Sequence, residues 1–348
     1  MNKPLMYSAF LGFLVVLLVL IALGFRFNKT EEEKQVAFSA TNLAEAFTVS
    51  ENGTIAYLTH GGGKSTLHFY NPNSNLTDPK LTFSSEITDL TFSQDGSKLA
   101  YVSVEEMTNK KQRSIVRLYD LNSKKDTQLF SDPRIVREVA FSPDAHTLFF
   151  LGGSSFTHYS PITGDRPHDY DLYQYTIQTK KLRQVTHQKA YEMDSLVVSG
   201  DGKSVYVEMS EEANTPEEIF AAKQRIFRLP LDNPEQKEKI PVPSAQGDIY
   251  DFAIAPSEQT FIYQSTHGEK NGVYNYELFR FNKSTGMNEV LTHLYEYAEH
   301  PVISAGGKKI YFMVDKQFAR KYREYHLYVM HSDGSKVREI TLPAVTYK

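Results

Sequence analysis

The chain repeats one short phrase six times between residues 47 and 313: an apolar strand, Ser or Ala, a tight turn and a second apolar strand. The recurring Ser or Ala occupies positions 50, 93, 142, 199, 255 and 304, so successive repeats are 43, 49, 57, 56 and 49 residues long. Repeats of this length are typical of propeller blades, in which each unit buries its faces against its neighbours. The six instances are Phe47-Thr-Val-Ser-Glu-Asn-Gly, Thr91-Phe-Ser-Gln-Asp-Gly, Ala140-Phe-Ser-Pro-Asp-Ala, Val197-Val-Ser-Gly-Asp-Gly, Ala253-Ile-Ala-Pro-Ser-Glu and Val302-Ile-Ser-Ala-Gly-Gly.

Each repeat continues with a variable loop, a third strand rich in Tyr, Phe and Leu, and a short fourth strand. Apolar residues alternate with period two, and Asp-Gly or Asn-Gly turns separate the strands, which predicts four-stranded antiparallel sheets. Helical spacing is almost absent beyond the N-terminus. We therefore predict an all-β fold, a six-bladed β-propeller over residues 42–348. We expect Val36–Ser39 or Leu342–Tyr347 to supply the strand that closes the ring.

Composition excludes several kinds of site. The chain has no Cys, which rules out disulfides, thiolate zinc sites and a cysteine nucleophile. Its formal net charge of -4 argues against nucleic acid as a partner, because such proteins need a basic surface to displace counterions. The 22 Tyr and 22 Phe supply flat, bulky side chains for packing between sheets.

Leu5–Phe25 carries no charge, and at about 1.5 Å per residue a helix of this length spans the roughly 30 Å hydrocarbon core of a bilayer. This segment predicts a single N-terminal transmembrane helix, preceded by a cytoplasmic tail, Met1–Pro4, and followed by a stalk over residues 26–41. A cleaved signal peptide is the alternative, with a small-residue site at Ala22–Gly24, although the apolar run exceeds the about 7 to 15 residues of most signals. The signal-like position and the lack of Cys indicate an extracytoplasmic propeller in a single-pass cell-membrane protein.

Three phrases in the repeats carry a family resemblance: Phe141-Ser-Pro-Asp, His300-Pro-Val-Ile-Ser and the run from His326 to Thr341. They resemble the repeats of TolB-type propellers, which also occur in the propeller domains of prolyl-oligopeptidase-type peptidases. The resemblance covers residues 42–348 and implies a binding platform at a bacterial cell envelope. TolB has an extra N-terminal domain where this sequence has its predicted anchor. Because the sequence stops at Lys348, just after the sixth repeat, we expect no peptidase domain.

Three catalytic patterns fail on inspection. Residues 61–66 (Gly-Gly-Gly-Lys-Ser-Thr) resemble a phosphate-binding loop, but Leu58 stands where that motif needs Gly, so a hairpin is expected. Residues 152–156 (Gly-Gly-Ser-Ser-Phe) lack the final Gly of a nucleophile elbow and are expected to form a loop. Residues 293–297 (His-Leu-Tyr-Glu-Tyr) put Tyr where an inverted zinc-protease motif needs its second His.

A candidate metal site lies in the third repeat, where residues 152–170 are expected to form a long loop. Nitrogen and oxygen donors there would hold a divalent cation if the loop folds back; the alternative is an ordinary polar surface. The candidate ligands are His158, His168, Asp169 and Asp171. No other cofactor is expected.

One acid from each repeat stands four or five residues before the recurring Ser or Ala. Because the first strand of a blade lines the propeller axis, these carboxylates predict a negative channel mouth that attracts a cation or a basic peptide. The alternative is that each acid accepts backbone N–H bonds where its strand begins. The acids are Glu45, Asp89, Glu138, Asp194, Asp251 and Glu299, and we assign the neighbouring His300 to the same mouth.

Variable loops between second and third strands, among them residues 152–170 and 264–276, should lie on the face that carries this mouth. In one of them the sequence predicts a short helix, with Thr215 as N-cap, Pro216 at the first position and Glu218 at the third.

The sequence thus predicts a monomeric, non-catalytic, membrane-anchored propeller that binds a protein or peptide at the bacterial cell envelope. The alternatives are an envelope polysaccharide hydrolase or lyase, with metal or acid/base residues on the loop face, and a purely structural protein without a ligand.

Overall fold

The computed structural model describes residues 41–74, 76–106, 112–158, 165–213, 215–243 and 247–346. The predicted cytoplasmic tail and transmembrane helix, and all of the predicted stalk except residue 41, lie outside these residues. Within the described part of the chain, no helix is long and apolar enough to cross a membrane.

The described residues form 24 strands and one short helix, with the strands grouped in four four-stranded sheets and one eight-stranded sheet. Unit one contains β1 (Leu43–Val49), β2 (Ile55–Gly61), β3 (Lys64–Asn71) and β4 (Leu76–Phe83); unit two contains β5 (Glu86–Phe92), β6 (Lys98–Glu106), β7 (Gln112–Asp120) and β8 (Lys125–Asp132). Unit three contains β9 (Ile135–Phe141), β10 (Thr147–His158), β11 (Asp165–Thr176) and β12 (Lys181–Gln184); unit four contains β13 (Met193–Val198), β14 (Ser204–Ser210), α1 (Pro216–Ala221), β15 (Gln224–Pro230) and β16 (Glu238–Lys239). Unit five contains β17 (Asp251–Ile254), β18 (Thr260–Lys270), β19 (Val273–Asn282) and β20 (Asn288–Val290); unit six contains β21 (Tyr297–Ile303), β22 (Lys309–Asp315), β23 (Tyr325–His331) and β24 (Arg338–Glu339).

Within every unit, each strand pairs antiparallel with the next along the chain. Units five and six count as one sheet because of a single parallel pairing, Tyr276 with Tyr297. The first strands contact one another in the order β1, β5, β9, β13, β17 and β21, and β21 contacts β1 again. The six units therefore form a closed circle with their first strands innermost.

The core is divided among the boundaries between units. Each of six hydrophobic clusters in the described residues joins side chains from two neighbouring units. Between units two and three, for example, Val102 and Val116 pack with Phe150 and Tyr173. Period-two alternation explains this division, because the two faces of each sheet meet different neighbours. The apolar strands predicted from the sequence thus bury both of their faces.

The circle closes at the boundary between units six and one, called here the closing seam, and no strand of the described residues is shared across it. Residues 342–346 form no strand, so the predicted closing strand at Leu342–Tyr347 is wrong in the described residues; Val36–Ser39 lies outside them. Pro343 has no N–H to donate to a ladder. Leu342 and Val345 instead bury their side chains in the cluster between these units, and the Thr346 N–H donates to Asn42 Oδ1 at 3.0 Å. Each unit draws its strands from one continuous stretch of chain.

Two expectations about loops change. The segment 152–170, expected to be a long loop, is mostly a β-hairpin, because β10 and β11 remain paired out to His158 and Asp165. The segment 264–276 is likewise a hairpin around Asn271 and Gly272, which both have positive φ. Backbone ladders do not require apolar side chains, so the period-two pattern fades where a hairpin extends beyond the core.

Two other local expectations are confirmed. Gly62 and Gly63 form a tight hairpin turn with positive φ between β2 and β3. The helix α1 begins at Pro216 with the expected capping box, in which the Glu218 N–H donates to Thr215 Oγ1 at 3.2 Å and the Thr215 N–H donates to Glu218 Oε2 at 3.3 Å.

Gly153→Ala is expected to lower the free energy of unfolding by about 1 to 3 kcal/mol, because the added Cβ would lie 2.7 Å from the buried Tyr170 ring. Gly61→Ala is the matched control, since its Cβ would meet nothing within 4 Å and its φ is not positive. Urea denaturation of both variants measures the difference. Equal midpoints for the two would contradict the close packing of Tyr170 on this strand.

Candidate functional site

All six predicted acids and His300 line one cavity of about 520 Å³, called here the acidic cavity, where the first strands begin. Two rings of positions contribute to it. Four residues before each recurring Ser or Ala lie Ala46, Asp89, Glu138, Ser195, Asp251 and His300; five residues before it lie Glu45, Thr88, Arg137, Asp194, Tyr250 and Glu299. The binding role of these residues stays a prediction, but the structure brings them together.

Bulges in the first strands explain why the acids occur at two offsets. The pairing register shifts at this point in β1, β5, β9, β13 and β21. A bulge sets two residues against one on the partner strand and re-aims their side chains. Ser195 and His300 have positive φ within two of these bulges. Two consecutive positions in each unit can therefore contribute side chains to the same cavity.

Three of the acids bind the unit that follows their own. Asp89 Oδ2 accepts from the Val139 N–H at 2.7 Å, and Asp251 Oδ2 accepts from the His300 N–H at 2.8 Å. Glu138 accepts from two N–H groups, those of Ser195 at 2.8 Å and Leu196 at 2.7 Å. These three acids therefore fit the alternative prediction that the acids accept backbone N–H bonds, although the N–H groups belong to the next unit. A carboxylate can accept such a bond and also line the cavity, so the two predictions are compatible.

His300 links units five, six and one. Its Nδ1 lies 3.0 Å from Asp251 Oδ2, and its Nε2 lies 3.1 Å from Glu45 Oε1. The Tyr325 hydroxyl donates to the other Glu45 oxygen at 3.2 Å. Burial alone would lower the pKa of His300, but Asp251 and Glu45 raise it well above 6.5. His300 is thus a cation held between two carboxylates at the closing seam.

Several carboxyl groups of the cavity bind protons near neutral pH. Burial, helped by Glu138, raises the pKa of Asp89 to about 7. Burial also raises the pKa of Asp194 to about 7 despite its ion pair with Arg137. The pKa of Glu208 is raised well above its usual range by burial, then by Asp194. Close carboxylates in a poorly solvated site resist ionising together.

Sequence reasoning missed the cavity residues that come from second and third strands. Glu208 is only 5% exposed and Gln264 only 1%, and each directly follows an apolar run, Val205–Val207 in β14 and Phe261–Tyr263 in β18. The Gln264 amide donates to the Ala298 carbonyl at 2.7 Å. Glu208 interrupts the run Val205–Met209. A single acid within an apolar run is the signal that could have identified Glu208 as a candidate site residue.

The metal candidates have separate roles in the described residues. Asp171 is 3% exposed and accepts from Thr186 Oγ1 at 2.8 Å and from the Gln188 N–H at 2.6 Å, so it holds the connection to unit four. His168 Nδ1 lies 3.0 Å from its neighbour Asp169.

His158 lies farther out along the same hairpin. It is opposite Asp165, whereas His168 is opposite Ser155, which separates the two histidines by three residue pairs. Among the residues that the structure describes, no group of three or more His, Asp or Glu could hold a metal ion.

The opposite end of the axis has a different chemistry. A second cavity of about 410 Å³ lies where the first strands end, and its lining includes Phe92, Phe141, Val198, Ile254 and Ile303. The axis is therefore acidic at one end and largely apolar at the other.

The sequence profile of a family of unknown function, DUF5711, matches residues 25–206 of this chain. The chain belongs to this family. No curated protein sequence is significantly similar to this DUF5711 protein. Among solved structures, TolB from Acinetobacter baumannii is similar with 18% identity and a TM-score of 0.59, over 82% of this chain and 62% of the TolB chain. This DUF5711 protein thus spans less than two thirds of that TolB chain.

Two further solved structures are similar to this DUF5711 protein. A protein assigned as TolB from Agrobacterium tumefaciens has 14% identity and a TM-score of 0.58, over 80% of this chain and 89% of its own. The β-propeller domain of the Trilobed protease from Pyrococcus furiosus has 15% identity and a TM-score of 0.50, over 87% of this chain and 85% of its own. These likenesses show the fold, and the predicted all-β, TolB-like propeller is confirmed at that level.

Proposed function

We propose that this DUF5711 protein is a monomeric six-bladed β-propeller, anchored in a bacterial cell membrane by Leu5–Phe25, that binds a protein or peptide through the acidic cavity and catalyses no reaction. The six four-stranded units and their closed circle support the blade number. The single observation that carries the binding function is the acidic cavity itself.

The charge of the cavity favours a basic partner. Eight carboxyl groups from the described residues line it, against two basic side chains, Arg137 and His300. A concave site lined mainly by one sign of charge focuses the potential and steers a partner of opposite charge toward it. Partial protonation of the acids reduces the negative charge of the cavity before the partner binds. A bound cation would favour the ionised carboxylates and so restore that charge.

The surface beside the cavity suits a protein partner. Tyr274, Tyr295 and Tyr322 are 57%, 62% and 39% exposed, and they lie in or next to connections on the face where the first strands begin. On the same face, the rings of Tyr297 and Phe318 stack with centroids 3.9 Å apart. Exposed tyrosines on a rigid base are typical of protein interfaces.

The same face is the one from which the chain enters β1 at Leu43. Residues 26–40, between the proposed anchor and Thr41, reach at most about 50 Å when fully extended. In the proposed topology this reach keeps the propeller close to the membrane, which limits its partner to the space next to the bilayer.

The polysaccharide hydrolase or lyase remains the second candidate because of one observation. The pKa values of Asp89 and Asp194 are raised to about 7, as a general acid requires. Asp89 already binds the Val139 N–H, and Asp194 already pairs with Arg137, which favours a structural and electrostatic role for both.

A photo-crosslinking residue at Tyr295 is expected to capture one discrete partner in intact cells. The same residue at Lys308 is the matched control, because both positions flank β21 and Lys308 is exposed in the turn at its other end. Identical products at both positions, or none at Tyr295, would contradict partner binding at this face.

Protease added to spheroplasts should digest the propeller, and protection of the propeller would contradict the proposed orientation.

A further inference from the structure

Two buried acceptors in the acidic cavity lack a hydrogen-bond donor. Glu299 is 7% exposed, and neither its Oε1 nor the Oε1 of Gln224 has a partner among the described residues. Both side chains line the cavity. A buried acceptor without a donor costs about 1 to 3 kcal/mol, and native proteins retain few of them. The cavity is therefore chemically incomplete and calls for a ligand that donates hydrogen bonds.

The two acceptors belong to different parts of the circle. Gln224 begins the third strand of unit four, and Glu299 lies in the first strand of unit six. Tyr250 and Tyr297 line the cavity with them and offer aromatic rings, against which a flat cation packs well. The ligand must then donate in more than one direction, carry positive charge and fit beside aromatic rings.

A guanidinium group meets these three requirements better than the other cations. It has five N–H donors in a rigid plane and stacks on aromatic rings, whereas an ammonium is a compact, strongly hydrated charge. A metal ion is disfavoured because no group of three His, Asp or Glu among the described side chains is arranged to hold one. We propose that the acidic cavity binds the guanidinium of an arginine side chain on the partner, with Glu299 and Gln224 as its acceptors. This inference rests on the proposed binding function and specifies its ligand.

Binding of the guanidinium is expected to release a proton. Burial and the Glu45 carboxylate raise the pKa of Glu299 well above its usual range; Asp251 adds to the rise, while His300 and Arg323 oppose it. A cation bound at Glu299 favours the ionised carboxylate, so the proton leaves as the ligand enters. Affinity should accordingly increase as pH rises toward that raised pKa.

The test is calorimetric titration of the full chain in detergent with the blocked peptide acetyl-Gly-Ser-Arg-Ser-Gly-amide. The same peptide with citrulline, a neutral analogue of the same shape, should bind at least tenfold more weakly, and the lysine peptide severalfold more weakly. Glu299→Gln should weaken arginine-peptide binding at least tenfold and abolish proton release, measured as a dependence of the heat on the ionisation enthalpy of the buffer. Glu51→Gln, at an exposed acid at the other end of the axis, should change neither.

Gln224→Met provides a second variant, because it removes the amide acceptor and keeps the length of the side chain; it should weaken binding severalfold. If the citrulline or lysine peptide binds as tightly as the arginine peptide, the assignment is wrong. It is also wrong if both cavity variants bind the arginine peptide with wild-type affinity and melt at the wild-type temperature. Binding of Ca²⁺ alone that is lost in Glu299→Gln would overturn it as well. If the Tyr295 crosslink persists while the arginine peptide fails to bind, the guanidinium site is wrong and the proposed function stands.

Discussion

Asp251→Ala is expected to lower the free energy of unfolding by about 3 to 5 kcal/mol, the largest effect of any single substitution proposed for this chain. The Asp251 carboxylate, with its side chain 14% exposed, accepts from Ser195 Oγ at 2.6 Å and from the His300 N–H at 2.8 Å, and it also faces the His300 ring. Its removal leaves a hydroxyl, an N–H and the half-exposed His300 cation without their shared partner. Three units lose a common contact at the axis.

Urea denaturation measures this effect, with two comparisons. Asp251→Asn keeps one carbonyl acceptor but loses the charge opposite His300, so its stability should fall between wild type and Asp251→Ala. Glu51→Ala removes an exposed acid from a turn and should stay within about 0.5 kcal/mol of wild type. A loss below about 1 kcal/mol for Asp251→Ala would contradict its role in joining units four, five and six.

The fold is expected to be less stable at pH 8 than at pH 5. Folding raises the pKa of Asp89 and of Asp194 from 3.8 to about 7, so the folded state binds more protons than the unfolded state between these values. Stability therefore falls as pH rises through that window. His300 acts in the same direction, since its raised pKa gives stability below about 6.5 that is lost as pH passes the folded value. Glu45, with its pKa lowered to about 2, contributes equally at both pH values.

Asp89→Asn should flatten this dependence and stabilise the protein at pH 8 by about 1 to 3 kcal/mol, because the amide oxygen can still accept from the Val139 N–H without a buried charge. Thermal unfolding of both proteins between pH 5 and pH 8 tests the prediction. Asp333→Asn, at an exposed acid in a turn, is the control and should keep the wild-type slope. A wild-type profile that rises toward pH 8 would contradict the proton binding inferred for the cavity.

The six units could be predicted from the sequence because the patterns that mark them are local. The Ser or Ala before each turn and the period-two strands depend on residues a few positions apart, and they place the six first strands correctly. One acid four or five residues before each recurring Ser or Ala was visible in the same way. The hairpins of units three and five were read as loops because their outer pairs are joined by backbone ladders that leave no apolar pattern.

The inner lining of the cavity could not be read from the sequence, because it depends on contacts between distant residues. Glu138 binds N–H groups 57 and 58 residues farther along the chain, and His300 meets Glu45 across 255 residues. Gln224 belongs to a third strand, and nothing near it in the sequence connects it to the axis. The bulges also leave no trace in composition, although they decide which side chains face the cavity.

The closing seam has a consequence for how such a protein can change its size. Because each unit of the described residues is built from one unbroken stretch of chain, a duplication or deletion of about 50 residues in the gene would add or remove a whole unit without dividing any of these sheets. A ring closed by a shared strand would need matching changes at both termini. In the described residues the first and last units meet through contacts that involve side chains, such as His300 with Glu45, and these would re-form between new neighbours, so a repeat protein of this kind can gain or lose a unit in a single genetic event.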